Sequence, residues 1–461
     1  MPWPTTRAVA VRLTYEDGTI RASGPDDELE AVRGAEPSDP ILEYDPRSEV
    51  YRAPAFRYAD LRDRLAEGSE YEDRVFDTPT LRGLTSEYEL RSYQREALDA
   101  WRENGDRGVL ELPTGSGKTV IAIEAIEALA TPTLVVVPTI DLLNQWREEL
   151  RAELDIPIGQ FGGGVQSREA ITVSTYDSAY LKADSVGDVF PFVIFDEVHH
   201  LGGEGYREIA RLLAAPARLG LTATFERPDG AHEVVEELVG PVVYRTSAEE
   251  LAGKHLASYD VKRIEVSLTG KERAEYERVQ ETFVSYLRES GIDMRRDSDY
   301  QELVKRSGSD PRAREALLAK QRAREIVSNA ERKVEALGGI LDRHRGERII
   351  VFTAHNDLVY RLSERFLIPA ITHRTSTTER REILERFREG TYSRIVASNV
   401  LDEGVDVPDA SVAVVISGSG SKREFTQRLG RILRPGEGKR ALLYELVSED
   451  TAEENVAARR R

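Results

Sequence analysis

Hydrophobic and polar positions follow two different periods along the 461-residue chain. Residues 10–22 alternate through Ala10-Val11-Arg12-Leu13-Thr14-Tyr15, turn at Glu16-Asp17-Gly18 and resume at Thr19-Ile20, which predicts a hairpin. Tyr44, Tyr51, Phe56, Tyr58 and Tyr71 follow, and a stretch rich in Pro, Gly and Thr near residues 78–86 closes this small α+β unit. Aromatics in such a unit more often pack a small core than stack on bases. From about residue 90 short apolar runs alternate with helical stretches: Gly108–Leu112, a helix from Lys118, Thr133–Val137, Ile171–Ser174, Phe192–Phe195 and Arg218–Leu221. That alternation predicts a parallel α/β sheet. A second series starts at Arg348 and continues through Arg394–Ser398, Ser411–Ile416 and Ala441–Glu445. Between the two series, residues 270–333 form a helical, charged insert without buried-strand signals. The expected organisation is a small domain over 1–85 and two tandem α/β domains over 86–255 and 256–461, the last carrying the insert.

Composition narrows the class. Hydrophobic residues make up 40% and charged residues 32%, a globular balance that excludes wholesale disorder and collagen-like repetition. The apolar runs are of strand length and the first residues, MPWPTTRAVAVRL, lack a signal-type core, so no membrane association is expected. With no cysteine there are no disulfides and no thiolate site, and a cytoplasmic location is expected. The formal net charge is -18, which taken alone argues against a polyanion partner. Of the 64 basic residues only ten are lysine, leaving 54 arginines. Asp, Glu and Arg without Lys suggest adaptation to high salt, a reading preferred over the Arg codon bias of a GC-rich genome. The insert departs from the bulk charge, with 15 basic against 13 acidic residues over 271–333.

The candidate chemistry sits at the ends of predicted strands. Leu112-Pro113-Thr114-Gly115-Ser116-Gly117-Lys118-Thr119 follows a strand and opens a helix, as a phosphate-binding loop requires, although Leu112 stands where the first glycine of such loops is usual. Lys118 would reach the β/γ oxygens of ATP and Thr119 would offer its hydroxyl to Mg²⁺. Phe192-Val193-Ile194-Phe195 runs into Asp196-Glu197-Val198-His199-His200, with Asp196 as the second Mg²⁺ ligand and Glu197 orienting or deprotonating the attacking water. A zinc site is disfavoured because the two histidines are adjacent and no further ligand cluster is evident. Arg91 and Gln94 lie about 20 residues before the loop, where a Gln amide can read adenine. Gln427-Arg428-Leu429-Gly430-Arg431-Ile432-Leu433-Arg434-Pro435 places arginines on one helix face, with Gln427, Arg431 and Arg434 as catalytic candidates and the two arginines as fingers toward the γ-phosphate.

In order, Gln94, LPTGSGKT, VVVPT at 135–139, VSTY at 173–176, DEVH at 196–199, LTAT at 221–224, VFTAHN at 351–356, VASNVLDEGVDVP at 396–408 and QRLGRILRP resemble the motifs of superfamily 2 helicases. DEVHH, LTATFER, the charged insert and ITHRTSTTERREILERF at 371–387 resemble the archaeal form of the XPB DNA-repair helicase family. The resemblance implies two RecA-like domains, an N-terminal damage-recognition domain and a thumb-like insert that grips DNA. It also implies ATP-driven 3'-5' translocation and duplex opening in nucleotide excision repair, with DNA at a single-strand/duplex junction as partner and a repair nuclease as a further one; it does not indicate an oligomeric state. Carried over by resemblance, Pro138, Thr139, Ser174, Thr175, Thr353 and Ser398 would touch the DNA backbone, His199, Thr222 and Thr224 would couple DNA to ATP, and Asp406 would sit near the ribose. The family's Arg-Glu-Asp element stands here as Arg227-Pro228-Asp229, so its role in strand separation does not transfer directly. Two other readings share the engine: an RNA helicase or remodeller, and a non-unwinding damage-binding scaffold switched by ATP. DEVH rather than DEAD and the insert favour DNA, and Glu197 with both arginines argues against a dead ATPase.

Overall fold

A computed structural model describes residues 11–33, 40–68, 70–78, 80–226, 229–251, 255, 258–294, 297–398, 401, 410–417 and 440–454. The chain divides into two compact units, Met1–Leu251 and Ala252–Arg461.

The first unit opens with β1 (Val11–Glu16), β2 (Thr19–Ser23), α1 (Asp26–Val32), β3 (Glu43–Asp45), β4 (Val50–Pro54), α2 (Tyr58–Gly68) and β5 (Tyr71–Asp73). The expected hairpin is present as the antiparallel β1–β2 pair, inside a five-stranded sheet of order β3-β4-β2-β1-β5. Tyr51 and Tyr58 are buried in its core, whereas Tyr44 is exposed. This sheet docks on the rest of the unit. The Tyr15 hydroxyl accepts from Gly18 N–H (2.9 Å) and donates to Leu212 O (3.0 Å). At Gly187 a Cβ would lie 1.9 Å from that hydroxyl, so only glycine admits the approach.

The unit continues with α3 (Ser92–Glu103), β6 (Arg107–Glu111), α4 (Lys118–Leu129), β7 (Thr133–Val137), α5 (Ile140–Leu154), β8 (Ile158–Gly162), β9 (Val165–Ser167), β10 (Ile171–Thr175), α6 (Tyr176–Lys182), β11 (Phe192–Asp196), α7 (Arg207–Leu212), β12 (Ala217–Thr222), α8 (His232–Val239), β13 (Val242–Arg245) and α9 (Ala248–Leu251). Eight strands form one sheet of order β13-β6-β12-β11-β7-β10-β8-β9, parallel except for β8–β9. β7, β10 and β11 are buried along their whole length, which is why they read as continuous apolar runs. The sheet order brings the ends of β6, β12, β11, β7 and β10 side by side, and every described candidate residue of this unit except Arg91, Gln94 and Asp229 lies at or just after one of those ends.

In the second unit come β14 (Ser258–Val266), α10 (Gly270–Ser290), α11 (Asp297–Ser307), α12 (Pro311–Ser328), α13 (Glu331–Arg343), β15 (Ile349–Phe352), α14 (Asn356–Phe366), β16 (Ala370–Ile371), α15 (Thr377–Arg388), β17 (Arg394–Ala397), β18 (Val412–Val415) and β19 (Arg440–Ser448). Among its described residues six strands form one all-parallel sheet, in the order β14-β19-β18-β15-β17-β16. The charged insert is helical. It starts at a capping box, in which Thr269 Oγ1 accepts from Glu272 N–H and Glu272 Oε2 accepts from Thr269 N–H (2.8 Å). Buried Ala313, Ala316, Ala319 and Ala323 line α12, and small side chains at this spacing let α10 pack close. The β8–β9 hairpin, β13, β14 and β16 were not expected from the pattern. β14 mixes Asp260, Lys262, Arg263 and Glu265 with apolar residues, as an edge strand does, and β8 carries Gln160 between two glycines. Among the described residues no helix is long and apolar enough to cross a membrane.

Candidate functional site

The loop between β6 and α4 has the geometry that phosphate binding requires. Gly115 and Gly117 adopt φ of +83° and +80°, and a Cβ on Gly117 would lie 2.5 Å from the Gln94 amide nitrogen. Leu112 is explained by packing: it is fully buried, its N–H extends the ladder to Thr222 O (2.9 Å), and its carbonyl accepts from Lys118 Nζ (3.0 Å). Pro113 is buried behind the loop and Thr119 stands in the first turn of α4. Thr114 Oγ1 and Ser116 Oγ are buried hydroxyls that make no hydrogen bond within the chain. Orphaned hydroxyls, left-handed glycines and an ammonium converging on one loop fit a nucleotide's phosphates. Gln94 is placed differently from the adenine-reading expectation. Its Oε1 accepts from Arg91 N–H (2.9 Å) and its Nε2 donates to Ser116 O (2.9 Å), with Tyr93 O–H donating to the same carbonyl (2.5 Å). Tyr93 and Gln94 thus brace the loop, and Arg91 holds Gln94.

Asp196 ends β11 and is buried. Burial pushes its carboxyl above the usual range, opposed by a hydrogen bond from Trp146, the charge of Lys118 and the Glu197 N–H. Glu197 follows at φ +48°, a strained conformation for a non-glycine residue. The bond from its N–H to Asp196 Oδ1 (3.0 Å) holds the turn. His199 Nδ1 lies 3.5 Å from Glu197 Oε2 and 3.2 Å from Thr222 Oγ1. Thr222 Oγ1 in turn donates to Thr224 O (3.0 Å) and accepts from Thr224 N–H (3.2 Å). A hydrogen-bonded line therefore runs from His199 through Thr222 to Thr224, joining DEVH to LTAT, with Glu197 Oε2 3.5 Å from its His199 end.

Thr139 and Thr175 cap α5 and α6, accepting from Leu142 N–H (3.2 Å) and Ser178 N–H (3.3 Å). Pro138 precedes the first cap. Ser174 is fully buried, with its hydroxyl donating to Thr175 O (2.9 Å). In the second unit Thr353 is also fully buried, hydrogen-bonded to Ser417 Oγ (2.8 Å), and Ser398 is buried at the end of β17. The side chains of Ser174 and Thr353 are committed internally, so contacts at those positions would fall to main-chain atoms. Asp229 is exposed and accepts from Ala231 N–H (3.2 Å). Arg227, Asp406, Gln427, Arg431 and Arg434 lie outside the described residues. Trp146, Tyr93 and Tyr176 are absent from the expected set, because each sits at a helix position that reads as core.

Residues 13–75 match the family described as xeroderma pigmentosum group B helicase damage recognition domain, 316–461 the ERCC3/RAD25/XPB C-terminal helicase, and 87–227 the type III restriction enzyme res subunit. The chain is 48% identical over 423 residues to the DNA 3'-5' translocase XPB2 of Sulfurisphaera tokodaii, covering 92% of this chain and 96% of that protein. The chain belongs to the XPB family of superfamily 2 helicases. Its similarity extends to the DNA 3'-5' helicase XPB of Mycobacterium tuberculosis, 31% identical over 81% of this chain and 63% of that one. It also extends to the general transcription and DNA repair factor IIH helicase/translocase subunit XPB/SSL2 of Saccharomyces cerevisiae, 29% identical over 81% of this chain and 43% of that one. The Hef helicase domain of Pyrococcus furiosus shares the fold at a TM-score of 0.52 and 20% identity, covering 81% of this chain and 98% of that structure.

Proposed function

We propose that this XPB-family chain is an ATP-dependent 3'-5' DNA translocase and helicase that opens duplex DNA during repair. The observation that supports it most is the hydrogen-bonded line His199–Thr222–Thr224, with the general-base candidate Glu197 3.5 Å from its His199 end. In this reading the 115–119 loop binds the triphosphate, Lys118 holds the β/γ oxygens, and Glu197 orients and deprotonates the attacking water. Gln94, held by Arg91, acts on the loop itself, and Asp406 on the ribose. Mg²⁺ held by Thr119 and Asp196 would neutralise the developing phosphate charge. Among the described residues no cluster of three or more His, Asp or Glu could hold a metal alone, which suits an ion carried in with its nucleotide. Gln427, Arg431 and Arg434 complete the ATPase. In the first unit DNA contacts fall to Pro138, Thr139, Ser174 and Thr175, with Arg227 and Asp229 as further candidates, and in the second to Thr353 and Ser398. A repair nuclease supplies incision, and the protein works in the cytoplasm of a high-salt organism.

The test is ATP turnover with and without single-stranded DNA at multimolar KCl. DNA should raise kcat, and Glu197→Gln should lower the stimulated kcat by about a hundredfold or more while leaving ATP binding intact. Turnover indifferent to single- and double-stranded DNA, or Glu197→Gln at wild-type rate, would overturn the reading.

A further inference from the structure

Asp196 is held at three points, two of which trace back to the helices capped by Thr139 and Thr175. Trp146 Nε1 donates to Asp196 Oδ2 (2.8 Å) from inside α5. Tyr176 O–H donates to the main-chain oxygen of Asp196 (3.1 Å) from the first turn of α6. The third bond, from Glu197 N–H to Oδ1, holds the left-handed Glu197 in place.

We propose that Trp146 and Tyr176 are positioning residues through which nucleic acid at the starts of α5 and α6 sets the geometry of Asp196 and Glu197. The inference rests on the functional reading above. Leu143, Trp146, Leu150 and Leu154 form the buried face of α5, where any large apolar side chain would fill the space of the indole. The indole adds an N–H, which must find a partner once buried, and its partner is the carboxylate expected to hold the metal. Thr139 and Trp146 are two helical turns apart, about 10 Å along a rigid axis, so a shift at the capped end reaches the indole directly. Tyr176 adjoins its cap without any intervening residue. Its ring packs 5.7 Å from His200 and 5.3 Å from Tyr206, so the hydroxyl cannot swing away independently. A displaced Asp196 carboxylate would shift the Glu197 N–H bonded to it, and with it the expected general base. Proximity along such a route is not coupling in itself, and the test must therefore measure transmission.

Tyr176→Phe deletes its donor and keeps the ring, whereas Trp146→Phe deletes its donor, keeps an aromatic side chain and leaves part of the indole's volume unfilled. For each variant the ratio of DNA-stimulated to DNA-free kcat should fall, by about tenfold for Trp146→Phe, with the KM for ATP changing less than twofold. A merely structural role would lower both rates alike and leave the ratio unchanged. In the wild type, indole N–H signals of ¹⁵N-tryptophan protein report the same step without substitution. The chain has three tryptophans, and Trp101, bonded to Arg218 O (2.9 Å), serves as internal reference. Single-stranded oligonucleotide without nucleotide should move the Trp146 signal and leave that of Trp101 in place. DNA bound by anisotropy with an unmoved Trp146 signal, or an unchanged ratio in both variants, overturns this inference alone. A wild type that binds no DNA overturns it together with the functional reading.

Discussion

Among the described residues each of the two units buries one long cation completely, Arg218 in the first and Lys333 in the second, and their surroundings neutralise the charge in different ways. Arg218 donates only to main-chain carbonyls: Ala215 O (3.0 Å), Ala210 O (2.9 Å), Leu238 O (2.6 Å) and Leu213 O (2.6 Å). The Ala210, Leu213 and Leu238 carbonyls lie at the C-terminal ends of α7 and α8, where unpaired oxygens and the helix dipoles favour a cation. Lys333 donates to Ile416 O (2.9 Å) and to both oxygens of Glu453 (2.8 and 2.6 Å), a residue 120 positions further along. The arginine's site is built locally and around a fork of five donors, so no carboxylate is needed. The lysine's site depends on the segment after β19, which also ties the insert to the sheet: Arg273 donates to Glu449 O (2.8 Å) and Asp450 O (2.9 Å), and Tyr276 O–H accepts from Ala452 N–H (3.0 Å). The first unit is thus closed by its own helices, and the second by the residues that follow β19.

Removing each cation in turn should expose the difference most clearly. Arg218→Met should destabilise the first unit by about 4 kcal/mol or more, because several buried carbonyls lose a charged donor at once. Lys333→Met should cost about 3 kcal/mol by leaving Glu453 beside an apolar side chain. Glu453→Gln added to Lys333→Met should bring the second unit back to within about 1 kcal/mol of wild type, since the amide still accepts from Ser448 N–H and no buried charge remains. Arg218 has no equivalent rescue, because its partners are backbone. Urea unfolding followed by hydrogen exchange in β12 and in β18 separates the units. A smaller loss for Arg218→Met than for Lys333→Met, or a double variant no better than Lys333→Met, would remove the distinction.

The same contrast separates what could be read in advance from what could not. The strands β7, β10, β11, β12, β15, β17 and β18 fall within about two residues of their expected positions, because a parallel strand buried on both faces must be apolar throughout. The loop at 112–119 and the carboxylates at the end of β11 were legible for a related reason: chemistry at a strand end is local in sequence. What escaped was every feature whose partners are distant. Arg218 opens an apolar run and reads as a strand boundary. Trp146 and Tyr176 occupy apolar helix faces and read as core, which they also are; only the acceptor 50 and 20 residues away makes them part of the site. Gln94 was expected to read adenine, yet the atoms it bonds belong to the loop and to Arg91. The edge strands β13 and β14 carry exposed charge and lose the continuous pattern that marks their neighbours.

A third long cation takes the comparison to its limit, because Lys320 has ring faces where Arg218 has carbonyls and Lys333 a carboxylate. Its ammonium lies 4.4 Å from the Tyr300 ring centroid and 5.3 Å from that of Phe283, inside the insert. Burial first, and then the charge of Arg324, lowers its pKa from 10.5 to about 8. The ring faces favour the charged form and oppose part of that shift. With the folded-state pKa below the unfolded value, the unfolded chain binds more protons between about pH 8 and pH 10.5, so the stability of the insert should rise with pH across that window. Below pH 8 the cost of the buried charge is present in full. Lys320→Met should raise the insert's Tm at pH 7 by about one or two degrees and flatten the rise between pH 8 and pH 10, read by calorimetry at both ends of the window. A wild-type Tm flat over that range, or an equal rise in Lys320→Met, would mean that two ring faces satisfy a half-buried ammonium as well as a carboxylate does, and the order drawn here from carbonyls to carboxylate to rings would not hold.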